Sequence, residues 1–245
     1  MLMVATPHTR AFEGAYVESL LQMEKPEGMC YIRLEGQPVD AARNRLAASF
    51  LESDSRFLLF VDSDATWPPE AARRLMRLNL PVVTACIYRR GLPPVPTFGT
   101  YAGINGEGNH AYNFGWSIRR ILELVEKLGI DPDEAPNAVC FNGDRVEEIE
   151  GCGMHFCMIR RDVLEKVGPR PFAAEDGAGE DFYFCRRVQR AGFGIFVNLA
   201  IHTGHLAGPG FEVGLREMLA FYRHTQILRE TEEVWDVGNP AGVAG

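Results

Sequence analysis

The chain has 245 residues, of which 46% are hydrophobic and 24% are charged, and its net charge is −8 at pH 7. This composition excludes a disordered or fibrous protein, and the length suits one large α/β domain with a substantial core. The acidic balance argues against general nucleic-acid binding. Six cysteines without a CxxC pair, no secretory leader and no long apolar span predict a cytoplasmic protein with reduced thiols and no transmembrane segment.

The first ninety residues alternate between strand and helix patterns. Apolar runs predict strands over residues 1–7, 29–36, 57–61 and 81–88. Apolar residues at helical spacing predict helices from about Phe12 to Met23, from Val39 to Glu52 and from Pro69 to Leu78. This order is typical of parallel strands joined by right-handed crossovers. We therefore predict an α/β fold with a mostly parallel central sheet and helices on both of its faces.

The rest of the chain is less regular. Residues 89–113 are rich in proline and glycine and are predicted to form a long loop or insertion. Further predicted elements are a helix over Ser117–Leu128, a strand entering a short helix over 147–168, a helix over Glu180–Ala191, a last strand over 194–205 and a helix over Phe211–Leu228. In the second of these, Gly151 and Gly153 permit either a close backbone approach or a bulge. We predict one domain over residues 1–225, with halves 1–90 and 91–225, and a mobile tail over 226–245.

The most informative stretch is FLLFVDSD, residues 57–64. Five consecutive apolar residues are typical of a central strand covered on both faces. Asp62 and Asp64 follow it directly, and the carboxyl end of such a strand opens into the ligand crevice of an open α/β sheet. Because two unneutralised carboxylates repel each other, a divalent cation or a shared proton is the expected reason for the pair. The alternative is a turn and helix start, since Asp and Ser are common at helix caps.

Four features of the sequence together resemble a glycosyltransferase of the GT-A fold, and family 2 in particular. They are Ala42-Arg43-Asn44, the DxD-like Asp62-Ser63-Asp64, the ED-like Glu180-Asp181, and the pair His202 and His205. The resemblance covers most of Met1 to Gly208, except for the poorly matched stretch from Gly91 to Glu150. It implies a metal-dependent transfer of a sugar from a nucleotide diphosphate sugar to a hydroxyl acceptor, with inversion and with Mn²⁺ or Mg²⁺ as cofactor.

The resemblance also implies roles for these residues. Asp64 is expected to be a direct metal ligand, and Asp62 to bind the ribose or reach the metal through water. Asp181, beside Glu180 in the catalytic pair, is expected to be the general base. His205 is the preferred histidine ligand and His202 remains an alternative, whereas His155 is expected to be packed in the core.

The remaining predicted site residues concern the nucleotide. Arg43, Asn44 and Pro7 are expected to contact it, and a guanidinium can hydrogen-bond a phosphate or a base edge. Arg43 falls near the apolar stripe of its helix, so it equally fits a structural role in which it extends its charged end to solvent or pairs with an acid of the fold.

Two other functions use the same features. A nucleotidyltransferase also holds a divalent ion with acids on an α/β sheet, but VATPHTR lacks the glycine-rich phosphate loop which that class usually needs. A non-catalytic sugar- or protein-binding module could keep the same fold. The sequence specifies neither the donor's base and sugar, nor the acceptor, nor the oligomeric state.

Overall fold

Parallel strands in the predicted βα order form the centre of the protein. The computed structural model describes residues 1–9, 11–106, 108–173, 179–208 and 210–223. Its strands are β1 (Leu2–His8), β2 (Cys30–Glu35), β3 (Phe57–Val61), β4 (Ala65–Thr66), β5 (Val82–Cys86), β6 (Phe98–Ile104), β7 (His110–Asn113), β8 (Val139–Cys140), β9 (Val146–Ile149), β10 (Gly151–Cys152), β11 (Phe156–Arg160), β12 (Ile195–His202), β13 (Gly204–Gly208) and β14 (Phe211–Val213).

The main sheet has the strand order β2-β1-β3-β11-β5-β12-β8, and β9 also pairs with β12. β1 is parallel to β2 and β3, and β5 is parallel to β12. β11 lies between β3 and β5 and is antiparallel to both. Five strands therefore run in one direction, which confirms the predicted α/β class with a mostly parallel sheet. The direction of β11 was not predicted.

Helices cover both faces of this sheet, as predicted. They are α1 (Gly14–Gln22), α2 (Val39–Glu52), α3 (Ala71–Leu78), α4 (Phe114–Leu128), α5 (Arg161–Val167), α6 (Glu180–Arg190) and α7 (Leu215–Arg223). Successive β3 residues point to opposite faces, so Phe60 joins a core with Phe50 of α2, whereas Leu59 joins a second core with Tyr16 of α1 and Leu75 of α3. None of the helices in the described ranges is long and apolar enough to cross a membrane.

The structure corrects two predicted elements. Residues 89–113 are not one long loop, because β6 and β7 pair within them as an antiparallel hairpin. β6 contains Gly99 and Gly103 and several exposed positions, so it lacks the apolar run by which a buried strand is recognised. Phe211–Val213 is a strand paired with β13 and not the first turn of a helix. The predicted helix continues as α7 from Leu215 to Arg223, whereas its last five residues and the predicted mobile tail lie outside the described residues.

Gly151 shows the close backbone approach that was one of its two predicted roles. A Cβ atom added there would lie 2.5 Å from the Tyr112 ring and 2.7 Å from the Phe182 ring. Only glycine leaves room for these rings, which pack with their centroids 4.4 Å apart. The contact sets the start of α6, which carries Glu180 and Asp181, beside the small sheet formed by β10, β6 and β7.

Candidate active site

A cavity of about 270 Å³ lies at the carboxyl end of β3. Its walls come from the ends of β3 and β5, the turn before β11, the start of α6 and the strand β13. They include the acids Asp62 and Asp181 and the histidines His155 and His205. The predicted acids from two distant parts of the chain therefore meet at one cavity, which is the arrangement that a ligand crevice of an open α/β sheet requires.

The antiparallel pairing of β11 with β3 brings His155 to this cavity. The Asp62 backbone N–H donates to the His155 carbonyl at 3.0 Å, which extends that pairing by one residue. His155 Nδ1 lies 3.8 Å from Asp62 Oδ2 and 3.7 Å from Asp64 Oδ1. Burial lowers the pKa of His155 to about 4, and nearby His205 adds to this effect. The imidazole is therefore neutral at pH 7.

A second antiparallel pairing brings His205 to Asp64. β13 pairs with β4, which places His205 opposite Ala65, and the Leu206 backbone N–H donates to the Asp64 carbonyl at 2.7 Å. His205 Nδ1 lies 2.7 Å from the Tyr88 carbonyl, so this nitrogen is the donor. In the neutral ring His205 Nε2 is then the nitrogen with the lone pair, and it lies 3.4 Å from Asp64 Oδ2.

The cluster of Asp64, His155 and His205 has the composition of a metal site. One ligand atom from each residue lies within 4.8 Å of the other two. Imidazole nitrogens and carboxylate oxygens both bind divalent transition metals. The hydrogen bond of His205 to a backbone carbonyl is the outer contact that metal-binding histidines usually have, because it fixes the tautomer.

Asp64 also contacts an arginine. Arg90 Nη1 lies 3.0 Å from Asp64 Oδ2, and the Arg90 side chain is 61% exposed. Burial opposes ionisation of Asp64, but the nearby His205, His155 and Arg90 outweigh it and lower the pKa of Asp64 to about 2. Asp64 is therefore a carboxylate throughout the physiological pH range.

Arg43 is buried at the centre of the acids. Its guanidinium contacts Asp62 at 3.0 Å, Glu180 at 2.5 Å, and Asp181. The Arg43 side chain is 3% exposed, whereas the three carboxylates are between 18 and 26% exposed. The ion-pair alternative predicted for Arg43 is what the structure shows. Nucleotide contact by Arg43 stays a prediction.

Asp181 lies at the first turn of α6 with one oxygen on Arg43. Its Oδ2 accepts from the Met154 backbone N–H at 3.2 Å. Burial raises the pKa of the Asp181 carboxyl, Arg43 opposes the rise, and the neighbouring acids Glu180 and Asp62 add to it. A carboxylate with a raised pKa is a stronger base than an ordinary aspartate.

Two predicted nucleotide contacts lie away from this cavity. The Asn44 side chain forms two hydrogen bonds with the Phe172 backbone, donating to its carbonyl at 2.6 Å and accepting from its N–H at 3.0 Å. Pro7 is a buried residue of β1 opposite Leu34 of β2, and β1 continues to His8 instead of turning at Pro7. Both residues have structural contacts, and neither lines the cavity.

The structure separates the two alternative histidines of the HTGH turn. His205 faces Asp64, whereas His202 is fully buried, with its Nδ1 2.7 Å from the Tyr88 hydroxyl and its ring stacked on the Tyr88 ring. Burial lowers the pKa of His202 to about 3. His202 is thus a core histidine at the end of β12.

Sequence reasoning missed the position of His155. It is buried, as predicted, but its Nδ1 faces the acids and has no hydrogen-bond partner. A signal was present: a polar residue directly before the apolar strand FCMIR, as Asp62 stands directly after FLLFV. Only the antiparallel pairing of these two strands brings the two residues together.

We expect Arg43→Met to destabilise the protein by about 3 kcal/mol at pH 7, because it leaves three clustered carboxylates without a counter-charge. The loss should shrink as the pH falls toward 5, since the carboxylates then take up protons. Denaturant unfolding at several pH values measures both effects. Arg73→Met, which removes an exposed ion pair with Glu24, should cost less than about 1 kcal/mol. A loss for Arg43→Met that does not change with pH would contradict the electrostatic cause.

We expect His202→Gln to make the protein less sensitive to acid. The folded-state pKa of His202 lies below the unfolded value of about 6.5, so neutral His202 stabilises the fold above pH 6.5 and this stability is lost as the pH falls toward 3. As the pH falls from 6 to 4, the unfolding free energy of the wild type should therefore decrease more steeply than that of His202→Gln, with a difference in slope of up to about 1.4 kcal/mol per pH unit. Equal slopes in wild type and variant would refute this; above pH 7 the slopes should agree.

Comparison with known proteins shows similarity at the level of fold. No protein-family model and no curated protein matches the chain. The crystal structure of A197 from STIV superposes with a TM-score of 0.53 and 16% identity, covering 88% of this chain and 91% of A197. The crystal structure of GalNAc-T7 with UDP, GalNAc and Mn²⁺ superposes with a TM-score of 0.49 and 9% identity, covering 91% of this chain and 47% of GalNAc-T7. The crystal structure of apo-UDP-glucose pyrophosphorylase superposes with a TM-score of 0.38 and 7% identity, covering 80% of this chain and 65% of the pyrophosphorylase. The chain therefore shares its fold with A197, and the two lower scores carry no argument about its reaction.

Proposed function

We propose that the protein is a metal-dependent glycosyltransferase that moves a sugar from a nucleotide diphosphate sugar to a hydroxyl acceptor with inversion. One observation carries this proposal: Asp62 after β3 and Asp181 at the start of α6 line the same cavity as His205, which lies against Asp64. Glycosyl transfer needs two such groups. One balances the charge of the leaving diphosphate, and the other removes a proton from the acceptor.

Asp64 and His205 are the proposed metal ligands of this enzyme. Asp64 remains ionised at physiological pH, and His205 presents a lone pair on Nε2 next to it. A bound divalent cation would neutralise the negative charge that develops on the leaving nucleoside diphosphate. Arg90 contacts the same carboxylate oxygen and is 61% exposed, so its guanidinium is accessible to pair with the donor phosphates.

Asp62 has a different proposed role from Asp64. Its two oxygens lie 3.0 and 3.2 Å from Arg43 Nη2, so its orientation is fixed by an ion pair. A carboxylate held in this way is suited to accept a hydrogen bond from a ribose hydroxyl or from a water of the metal. Arg43, in turn, is the residue that orients Asp62 and Asp181 toward one cavity.

Asp181 is the proposed general base. It lines the cavity, and the Met154 N–H and Arg43 fix its orientation. Its raised pKa favours proton uptake from an acceptor hydroxyl within hydrogen-bond reach. Removal of that proton makes the hydroxyl oxygen nucleophilic, and attack on the face opposite the leaving group inverts the sugar carbon.

A thermal-shift screen of nucleoside diphosphates and sugar nucleotides, each with and without Mn²⁺, tests donor binding. We expect stabilisation that requires the metal and is abolished by EDTA. Product analysis with the best donor then separates the possible reactions. Release of a nucleoside diphosphate supports glycosyl transfer or donor hydrolysis. Release of pyrophosphate identifies a nucleotidyltransferase. If no product forms in long incubations with a broad set of acceptors, the protein is a binding module.

Asp64→Asn should abolish metal-dependent binding of the nucleoside diphosphate, because an amide is a weak ligand and carries no charge. Titration calorimetry with and without Mn²⁺ measures this, and we expect at least a 100-fold loss of affinity. Asp54→Asn, which changes an exposed aspartate outside the cavity, is the matched control and should bind as the wild type does. Unchanged metal-dependent binding in Asp64→Asn would contradict the ligand role.

Asp181→Asn should lower the transfer rate by about 10²–10⁴-fold, the usual contribution of a general base. Donor affinity should change by less than about threefold, since the metal ligands are intact. Glu180→Gln is the comparison: it alters the neighbouring Arg43 contact without removing the proposed base, so its loss should be much smaller. A larger loss in Glu180→Gln than in Asp181→Asn would reassign the base.

A further inference from the structure

We propose that His155 is a third protein ligand of the metal and that the resulting set of one carboxylate and two imidazoles selects a transition metal ion over Mg²⁺. This inference rests on the metal site of the proposed function and extends it in two respects. It adds His155, the residue directly before β11, to the metal ligands. It also narrows the expected cofactor from Mn²⁺ or Mg²⁺ to Mn²⁺ and similar transition metal ions.

The first argument is the tautomer of His155. His155 Nε2 lies 3.1 Å from the Gly204 carbonyl, and a carbonyl can only accept, so Nε2 carries the proton. Nδ1 is consequently the nitrogen with the lone pair. It faces Asp64 and Asp62, the direction in which a ligand to a shared ion would have to point.

The second argument is that Nδ1 has no other partner. It is fully buried, and no donor lies within hydrogen-bond distance of it. The acids at 3.7 and 3.8 Å are too distant for a hydrogen bond, and a carboxylate cannot donate to it. A buried nitrogen without a partner costs folding free energy. A cation bound between Nδ1 and the Asp64 carboxylate would satisfy both groups.

The third argument is the matching orientation of the two histidines. His155 donates through Nε2 to Gly204, and His205 donates through Nδ1 to Tyr88, so each ring uses one nitrogen on a backbone carbonyl. The remaining nitrogens lie 3.7 Å and 3.4 Å from oxygens of Asp64, and one ligand atom from each of the three residues lies within 4.8 Å of the other two. Metal-binding histidines are held by outer hydrogen bonds of this kind, and a purely structural histidine has no need to share its lone-pair direction with another one.

The ligand types determine the metal class. Mg²⁺ prefers oxygen ligands in near-ideal octahedral geometry, whereas Mn²⁺ and later ions accept imidazole nitrogen. A site with Asp64 as its one carboxylate ligand offers Mg²⁺ little, because the two other ligands are imidazole nitrogens. Two imidazole nitrogens offer Mn²⁺, Fe²⁺ or Co²⁺ much more.

The decisive experiment counts histidine ligands in the wild-type protein. The full chain is loaded with Mn²⁺ alone, and pulsed electron paramagnetic resonance measures couplings from imidazole nitrogens directly bound to the metal. We expect two coordinated imidazoles in the wild type and one in His155→Ala. A single imidazole in the wild type would overturn the proposal without the need for any variant.

Calorimetry supplies the second measurement. His155→Ala should weaken Mn²⁺ binding by about 10- to 100-fold, and the wild type should prefer Mn²⁺ over Mg²⁺ by a larger factor than the variant does. His202→Ala is the matched control, because it truncates another buried histidine outside the cluster, and its Mn²⁺ affinity should stay within about twofold of wild type. Equal Mn²⁺ affinities in wild type and His155→Ala would overturn the proposal.

These results remain distinct from the test of the proposed function. Mn²⁺ bound through a single histidine, with sugar transfer intact, would refute the third ligand and leave the glycosyltransferase standing. Mn²⁺ bound through two histidines, with no release of nucleoside diphosphate from any donor, would support the ligand set and refute the reaction.

Discussion

The arrangement of the site depends on the charge balance around Arg43. Asp62 after β3 and Glu180 and Asp181 at the start of α6 converge on one point beside the cavity, and like charges this close would repel one another and push the elements apart. The buried guanidinium of α2 contacts all three and thereby joins α2, the end of β3 and the start of α6. One guanidinium thus faces three carboxyl groups, which is a local excess of acidic groups at this edge of the cavity.

Two antiparallel pairings then bring histidines into this acidic cavity. β11 enters a sheet whose neighbouring strands are parallel, and its reversed direction places the residue before it, His155, opposite the residue after β3, Asp62. β13 folds back on β4 and places His205 opposite Ala65. The carboxyl ends of parallel strands alone would supply only the residues that follow them. The reversed strand β11 of the main sheet and β13 of the separate sheet with β4 add residues at their amino ends to the same cavity.

Backbone carbonyls complete the site by fixing how each ring is protonated. Gly204 and Tyr88 accept from one nitrogen of His155 and His205, respectively, so the orientation of both lone pairs is coupled to the strands themselves. Gly204 is essential to this packing, because an added Cβ would collide with Thr66 and Glu212. The protonation pattern of the two histidines therefore depends on the packing of the two reversed strands.

The sequence determined the elements whose signal is local. The apolar run Phe57–Val61, the helix Val39–Glu52, whose limits agree with α2, and the acids that follow β3 and open α6 were all readable, because strand and helix patterns repeat every two or 3.6 residues. The hairpin of β6 and β7 could not be predicted from the sequence, because its glycines and exposed positions give no such pattern. Only the tertiary structure decided that Arg43 pairs with three acids and that Asn44 forms hydrogen bonds with the Phe172 backbone. It also decided that His155 and His205 face Asp64, whereas His202 is buried in the core. Those outcomes depend on strand direction and register between segments far apart in the chain, which the free energy of the whole fold selects and no local pattern of residues encodes.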